Sequence, residues 1–296
     1  MKKDKKEDNK IKNAGLYFWL VDPKKPFKNR FELTLTLGID YRNGYKAFLC
    51  KVDKKDILDR KNSGARIITK NIEIIQEVNM RKRETEYVLP DWIWDARKMN
   101  LMGLDLIGIE IFYSNFEMIE GRKINLMGAR LNGSSFDLSD LQEADLSYSE
   151  LENVTFKHTN LANSKFINAS AISGDFRWSN LSYANMHKFW ASVAKFENAY
   201  MFKTNLEEAD LTSSSFANAI MVKSNLAGAE LRKADFFGAN LQGAKLDGAD
   251  LSMANFTNAN LEDASLVNVK LLNTNFRGAN LMGHNIEVLR EKGAII

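Results

Sequence analysis

Few side chains in this chain of 296 residues are equipped to make or break bonds. Its imidazoles and thiols amount to three histidines, His158, His187 and His284, and one cysteine, Cys50. No two of the histidines are spaced to share a metal. A lone cysteine rules out an internal disulfide and any cysteine-rich metal site. Cys50 lies in an alternating apolar segment, which predicts an inert core thiol. No phosphate-binding loop or nucleophile motif occurs. The 21 Asp and Glu residues between 101 and 286 fall at regularly recurring outward positions, so neighbouring carboxylates arise there without any acid–base role. The expectation is a protein that is not an enzyme and uses no metal or cofactor. The side chains that stand out are apolar: Tyr183, Tyr200, Phe202, Ile220 and Val222 are bulky and fall together on a surface that is mostly clothed in Asn, Ser and Lys. They form the candidate partner-binding set, with Tyr183 and Phe202 as anchors, the alternative being contact with a symmetry mate or with the N-terminal domain.

The spacing of those five residues has meaning only within the element that carries them. From Leu101 to Ile286 every fifth residue is a large apolar one, and the phase never slips. Of the 38 such positions, 35 are Leu, Phe, Met or Ile, and the exceptions are Gly121, Ala171 and Ala191. Two residues before each centre the side chain is small, and Asn or Asp most often lies between, as in Ala239-Asn240-Leu241. Two inward residues separated by one outward residue is the period of a strand. A helix would smear a five-residue period around all its faces. Each pentad therefore reads as a three-residue strand and a two-residue corner, with Gly228, Gly238, Gly243 and Gly248 at the second corner position.

A second period sets the shape. Phe116, Phe136, Phe156, Phe176, Phe196, Phe216, Phe236, Phe256 and Phe276 recur every twentieth residue, and Phe166 is the only other Phe at a centre. Four pentads per turn make an all-β, four-sided β-helix of about nine coils, roughly 40–45 Å long at a strand spacing of ~4.8 Å, with the Phe rings in one column. Ala144-Asp145-Leu146, Ala209-Asp210-Leu211, Ala259-Asn260-Leu261 and Ala279-Asn280-Leu281 then resemble the A-(D/N)-L-x-x motif of the pentapeptide-repeat family. The resemblance covers 101–286 and implies a right-handed quadrilateral β-helix. Two departures predict size swaps inside it. Phe189 fills the space left by Ala171 and Ala191, and Ile119 fills that left by Gly121.

Charge marks a boundary near residue 100. Residues 1–100 hold 24 Lys/Arg against 15 Asp/Glu, a net of +9, and residues 101–286 hold 15 against 21, a net of −6. The division expected is a disordered basic tail at 1–13, a small β-rich domain at 14–95, the β-helix at 96–286 and a C-terminal cap at 287–296. In the small domain Phe31, Leu33, Leu35, Leu37 and Ile39 alternate with polar residues ahead of Asn43-Gly44, a hairpin signal. A two-residue turn there pairs Ile39 with Phe48, Leu37 with Cys50 and Leu35 with Val52. Further strands are expected at 16–21, 65–70 and 85–89, with 71–82 open between strand and helix. Trp92 and Trp94 are placed to cover the first coil. At the other end Asn285 caps a short helix to about Lys292, Gly293 stops it, and Ile295-Ile296 fold back.

The primary functional expectation is a binding scaffold, a rigid face offered to a protein partner. The family resemblance adds other readings. Some members are described as DNA mimics that bind type II topoisomerases, some as effectors delivered into host cells, and in some the C-terminal end forms a homodimer. Mimicry needs a continuous acidic face, whereas only Asp210, Glu230 and Asp250 stack here and Lys203 and Lys223 stack as a basic pair. Direct nucleic-acid binding is not expected at a net charge of +3. The longest apolar run near the N-terminus, Leu16 to Val21, is too short for a membrane span, so the expected location is the cytoplasm.

Overall fold

A computed structural model describes the chain from residue 92 to residue 296 and, before that, the backbone of six strand segments; side chains are described from residue 96 onward. The strands are β1 (Leu16–Phe18), β2 (Thr36–Asp40), β3 (Gly44–Lys51), β4 (Ile57–Arg60), β5 (Ile67–Thr69), β6 (Glu73–Lys82) and β7 (Trp92–Asp95). Five of them form an antiparallel sheet in the order β1-β2-β3-β6-β7, and β4 pairs with β5. The ambiguous segment 71–82 is thus largely strand, and β4 was not anticipated. The hairpin β2–β3 exists, but its register differs from the expected one. Ile39 faces Tyr45, Leu37 faces Ala47 and Thr36 faces Phe48, because three residues separate Asp40 from Gly44. An odd shift exchanges the faces of a strand. Hydrophobicity could not exclude it, since Tyr45, Ala47 and Leu49 are as apolar a set as Phe48, Cys50 and Val52. The expected tail at 1–13, the strand at 85–89 and the side chains of Cys50, Trp92 and Trp94 lie outside the described residues.

β7 runs directly into the first pentad at Ala96. From there each coil hydrogen-bonds to the next at a constant separation. Parallel bridges join Asn100 to Glu120, Asn180 to Tyr200 and Asn260 to Asn280, always twenty residues apart. The corners are tight turns in which the residue after the second corner donates back to a centre, as from the Leu104 N–H to the Leu101 carbonyl at 3.2 Å. Every second-corner residue from Lys98 to Gly283 has positive φ, which is type II turn geometry. Glycine is natural there, yet 28 of these residues carry a side chain. Val193 is the β-branched one, at φ 61°, and it is 56% exposed. Val193→Asn is therefore expected to relieve about 1 kcal/mol of backbone strain and raise the melting temperature by a few degrees. A calorimetric scan with an unchanged or lower transition would contradict this.

The Asn or Asp at the outward position has a structural task that spacing alone did not reveal. Its side-chain oxygen accepts from the N–H two residues on, as in Asn180 from Ser182 at 3.1 Å and Asn240 from Gln242 at 3.1 Å. Where two such residues stack, the amide of one also donates to the next, as from Asn180 to Asn160 at 3.2 Å and from Asn280 to Asn260 at 2.9 Å. These ladders tie neighbouring coils together along the surface.

Inside, the Phe column is continuous. Successive rings from Phe116 to Phe276 stack at 4.5 to 5.1 Å, the spacing of the coils themselves. The stack tilts most around Phe156, by 20° and 23° to its neighbours. Here Phe166 meets Phe156 and Phe176 edge-on at 6.0 and 6.1 Å. Phe189, fully buried, meets Phe166 at 5.5 Å and Phe176 at 6.0 Å. Phe189 is thus packed edge-on among Phe166 and Phe176, in the stretch of the core that holds the two small centres Ala171 and Ala191. The second swap has the same logic. A Cβ on Gly121 would lie 2.7 Å from Leu141 Cδ2 and 3.2 Å from Ile119 Cδ1, so Leu141 and Ile119 together occupy that volume, where the sequence suggested Ile119 alone.

At the C-terminal end the pentads give way to α1 (Ile286–Glu291). The Asn285 side chain accepts from the Val288 N–H at 3.3 Å, Glu287 lies in the first turn and Arg290 in the last. Lys292 is the C-cap, and Gly293 follows at φ 94°. The chain then returns in phase. Ile295 bridges Asn275, twenty residues earlier, and accepts from the Phe276 N–H at 2.7 Å. The helix replaces two sides of a coil, and Leu289 is its buried residue.

Candidate protein-binding face

The side of the rod centred on Leu181, Met201, Met221 and Leu241 has fully buried centres, so its outward residues share one surface. Tyr200 and Ile220 are bridge partners on successive coils. The Tyr183 N–H donates to the Phe202 carbonyl at 2.9 Å, and the Lys203 N–H to the Val222 carbonyl at 3.0 Å. These bonds place all five candidate residues side by side on three consecutive coils. Tyr183 and Tyr200 are 52% and 55% exposed, Ile220 is exposed, and Phe202 and Val222 are half-buried. The Tyr183 and Phe202 rings meet edge-to-face at 5.4 Å, 82° apart. Above them the Lys203 ammonium sits 5.7 Å from the Tyr183 ring and 5.4 Å from the Phe202 ring, close enough for cation–π attraction.

The same residues interrupt the surface ladder. On this side the outward positions read Asp140, Asn160, Asn180, Tyr200, Ile220, Asn240, Asn260, Asn280. Each Asn or Asp accepts from the N–H two residues on, at distances from 3.1 to 3.4 Å. Ile220 carries no acceptor and Tyr200 offers none in the place of the Asn oxygen, and no acceptor among the described residues meets the N–H groups of Phe202 and Val222. Lys203 and Lys223 follow at the second corner position, both exposed, and neither pairs with a carboxylate among the described residues. From residue 159 to residue 243 this side carries no Asp or Glu. The two unpartnered amides went unnoticed in the sequence, although the gap in the Asn run at 200 and 220 was their signal.

Elsewhere several outward charges are paired. The acidic stripe is not bare. Arg232 lies 2.9 Å from Glu230 and 3.3 Å from Asp250, and Lys270 lies 3.3 Å from Asp250. The Asp250 side chain is only 8% exposed. Burial on its own would raise its pKa, but hydrogen bonds from Ser252 and the charge of Lys270 outweigh that and hold it below the usual carboxylate value. Arg177 clasps Asp175 at 2.6 Å and lies over the Trp178 ring, which stacks on His158 at 5.1 Å. Trp190 is exposed on another side. The His187 ring is 4.0 Å from Glu207, and His284 Nε2 is 3.0 Å from the Leu261 carbonyl. Among the described residues no group of three His, Cys, Asp or Glu is placed to hold a metal ion. No helix among them is long and apolar enough to cross a membrane.

Comparison with known proteins agrees with the repeat. The family model described as pentapeptide repeats matches residues 124–161, 159–188, 194–226, 222–252 and 254–286, with eight copies. HetL from the cyanobacterium Nostoc, a pentapeptide repeat protein involved in heterocyst differentiation regulation, is 24% identical at a TM-score of 0.39, covering 63% of this chain and 90% of HetL. QnrB1, a plasmid-mediated fluoroquinolone resistance protein, is 22% identical at a TM-score of 0.31, covering 67% of this chain and 98% of QnrB1. A further pentapeptide repeat protein from Nostoc is 30% identical at a TM-score of 0.31, over 34% of this chain and 83% of its own length. Among curated proteins no match was found.

Proposed function

The chain belongs to the pentapeptide-repeat family, and from that premise we propose that it is a non-enzymatic binding scaffold, a right-handed quadrilateral rod of about nine coils that presents one rigid face to a protein partner. The observation that carries this reading is the group Tyr183, Tyr200, Phe202, Ile220 and Val222, gathered on one side of a rod whose other outward positions are mostly polar. Bulky apolar groups clustered on a solvent-facing sheet lose free energy unless something covers them. The absence of Asp and Glu from this side between residues 159 and 243, and the pairing of Glu230 and Asp250 with Arg232 and Lys270, weigh against DNA mimicry. The single cysteine and a rod built without disulfides favour the cytoplasm as its place of action.

The test is affinity capture from bacterial lysate with the wild type and with the combined variant Tyr183→Ser, Phe202→Ser and Val222→Ser, after circular dichroism has shown the two equally folded. A partner retained by the wild type and lost by the variant is the expected result. Capture of gyrase or topoisomerase IV would turn the reading towards mimicry. Identical captures would remove this face from the function.

A further inference from the structure

The chemistry of this face also specifies its partner. Four features converge within three coils. An apolar group of two tyrosines, a phenylalanine and two aliphatic residues lies outward. Two exposed ammonium groups, Lys203 and Lys223, flank it without a paired carboxylate among the described residues. Two backbone donors, the N–H groups of Phe202 and Val222, have lost the Asn oxygen that serves their equivalents on the coils before and after. No carboxylate of this side lies between residues 159 and 243 to repel an incoming anion. Donors and positive charge are thus in surplus and acceptors are missing, in a surface that is apolar at its centre.

Resting on the scaffold reading above, we propose that this face binds an acidic protein segment with apolar side chains. The segment's carboxylates meet Lys203 and Lys223, its oxygens accept from the Phe202 and Val222 amides, and its apolar side chains cover Tyr183, Tyr200 and Ile220. Strand addition is not the mode. The strand bonds on this side already run from coil to coil, as from the Tyr200 N–H to the Ser179 carbonyl and from the Ile220 N–H to the Ala199 carbonyl, so there is no open sheet edge here. A nucleic acid fits less well. Phosphate-driven binding draws on many lysines and arginines, whereas this face offers two, and Ile220 and Val222 are not platforms for bases. The tyrosine and isoleucine at 200 and 220 displace a ladder that the rod uses on both sides of them, which is a stability sacrifice of the kind expected where a surface is kept for binding.

That sacrifice supplies a test variant that keeps the fold. Tyr200→Asn combined with Ile220→Asn rebuilds the Asn run from Asn160 to Asn280, and its melting temperature is expected to equal or exceed that of the wild type. A random peptide library is selected on the full-length wild type, on this variant, on Lys203→Glu with Lys223→Glu, and on the triple serine variant. Peptides selected by the wild type are expected to be rich in Asp and Glu with interspersed apolar residues. They should bind the ladder-restoring variant at least about tenfold more weakly. The charge-reversed variant should select basic peptides instead.

Selected peptides without an acidic excess, or unaffected by the charge reversal, would overturn the acidic partner. If they were still lost in the triple serine variant, the scaffold reading would survive. Peptides that bind all variants equally, or no selection at all, would defeat both. Tight binding of a mixed-sequence single-stranded oligonucleotide, lost on charge reversal, would assign the face to nucleic acid and overturn the proposal. So would self-association in solution that disappears with Tyr200→Asn and Ile220→Asn, because the occupant would then be a second copy of this chain.

Discussion

Replacing Phe189 with alanine is expected to destabilise the rod by about 3–5 kcal/mol, the range for removing a buried aromatic ring. The upper part of that range applies because the site has no means of collapse. Its neighbours Ala171 and Ala191 are already the smallest centres on their side, and Phe166 and Phe176 are fixed by the rings above and below them. The coils cannot close over the void without breaking bonds such as Ala191 N–H to the Asp210 carbonyl at 2.8 Å. Adding Ala171→Leu and Ala191→Leu to Phe189→Ala returns the volume to the usual centres and is expected to recover a substantial part of the loss. Urea unfolding of the three chains measures this. A single substitution with an unchanged midpoint would refute the size swap, and a triple variant no better than the single would show that the rings matter by shape as well as volume.

The second large effect is expected in the Phe column. Phe216 stacks on Phe196 at 4.8 Å and on Phe236 at 4.9 Å, within 6° of parallel. Phe216→Ala removes a fully buried ring and both stacks, again for about 3–5 kcal/mol. Phe216→Leu is expected to cost about 1 kcal/mol, since leucine is the common centre on the other sides and keeps most of the volume. In a solenoid each coil is held by its two neighbours, so a defect at Phe216 weakens the coupling between the two halves. A broadened unfolding transition for Phe216→Ala is the expected accompaniment. Equal losses for Ala and Leu would show that aromatic stacking, not volume, is what the column provides.

Most of the rod is legible in the amino-acid sequence because its two periods, five and twenty, each have a direct steric meaning. Inward side chains must be apolar, and stacked residues must fit one another at the coil spacing. The hairpin β2–β3 was less legible because both faces of β3 are apolar, so pattern gave no penalty for the wrong register. The role of the outward Asn was also hidden. Its value is a hydrogen bond to a backbone N–H two residues on, and composition shows only that Asn is frequent. The candidate face is an intermediate case. Its apolar members were visible as exceptions to a polar rule, whereas the two free amides follow only from seeing what those exceptions displaced.

The constant twenty-residue step also bears on how the protein is made. Most bridges of the rod join residues twenty apart, however many coils are added, so no coil has to wait for a distant segment of the chain. A coil can close as soon as the next few residues have left the ribosome, and the growing edge then templates its successor. Synthesis proceeds in the direction of stacking, and α1 with Ile295 follows the last of these coils and covers the edge they present.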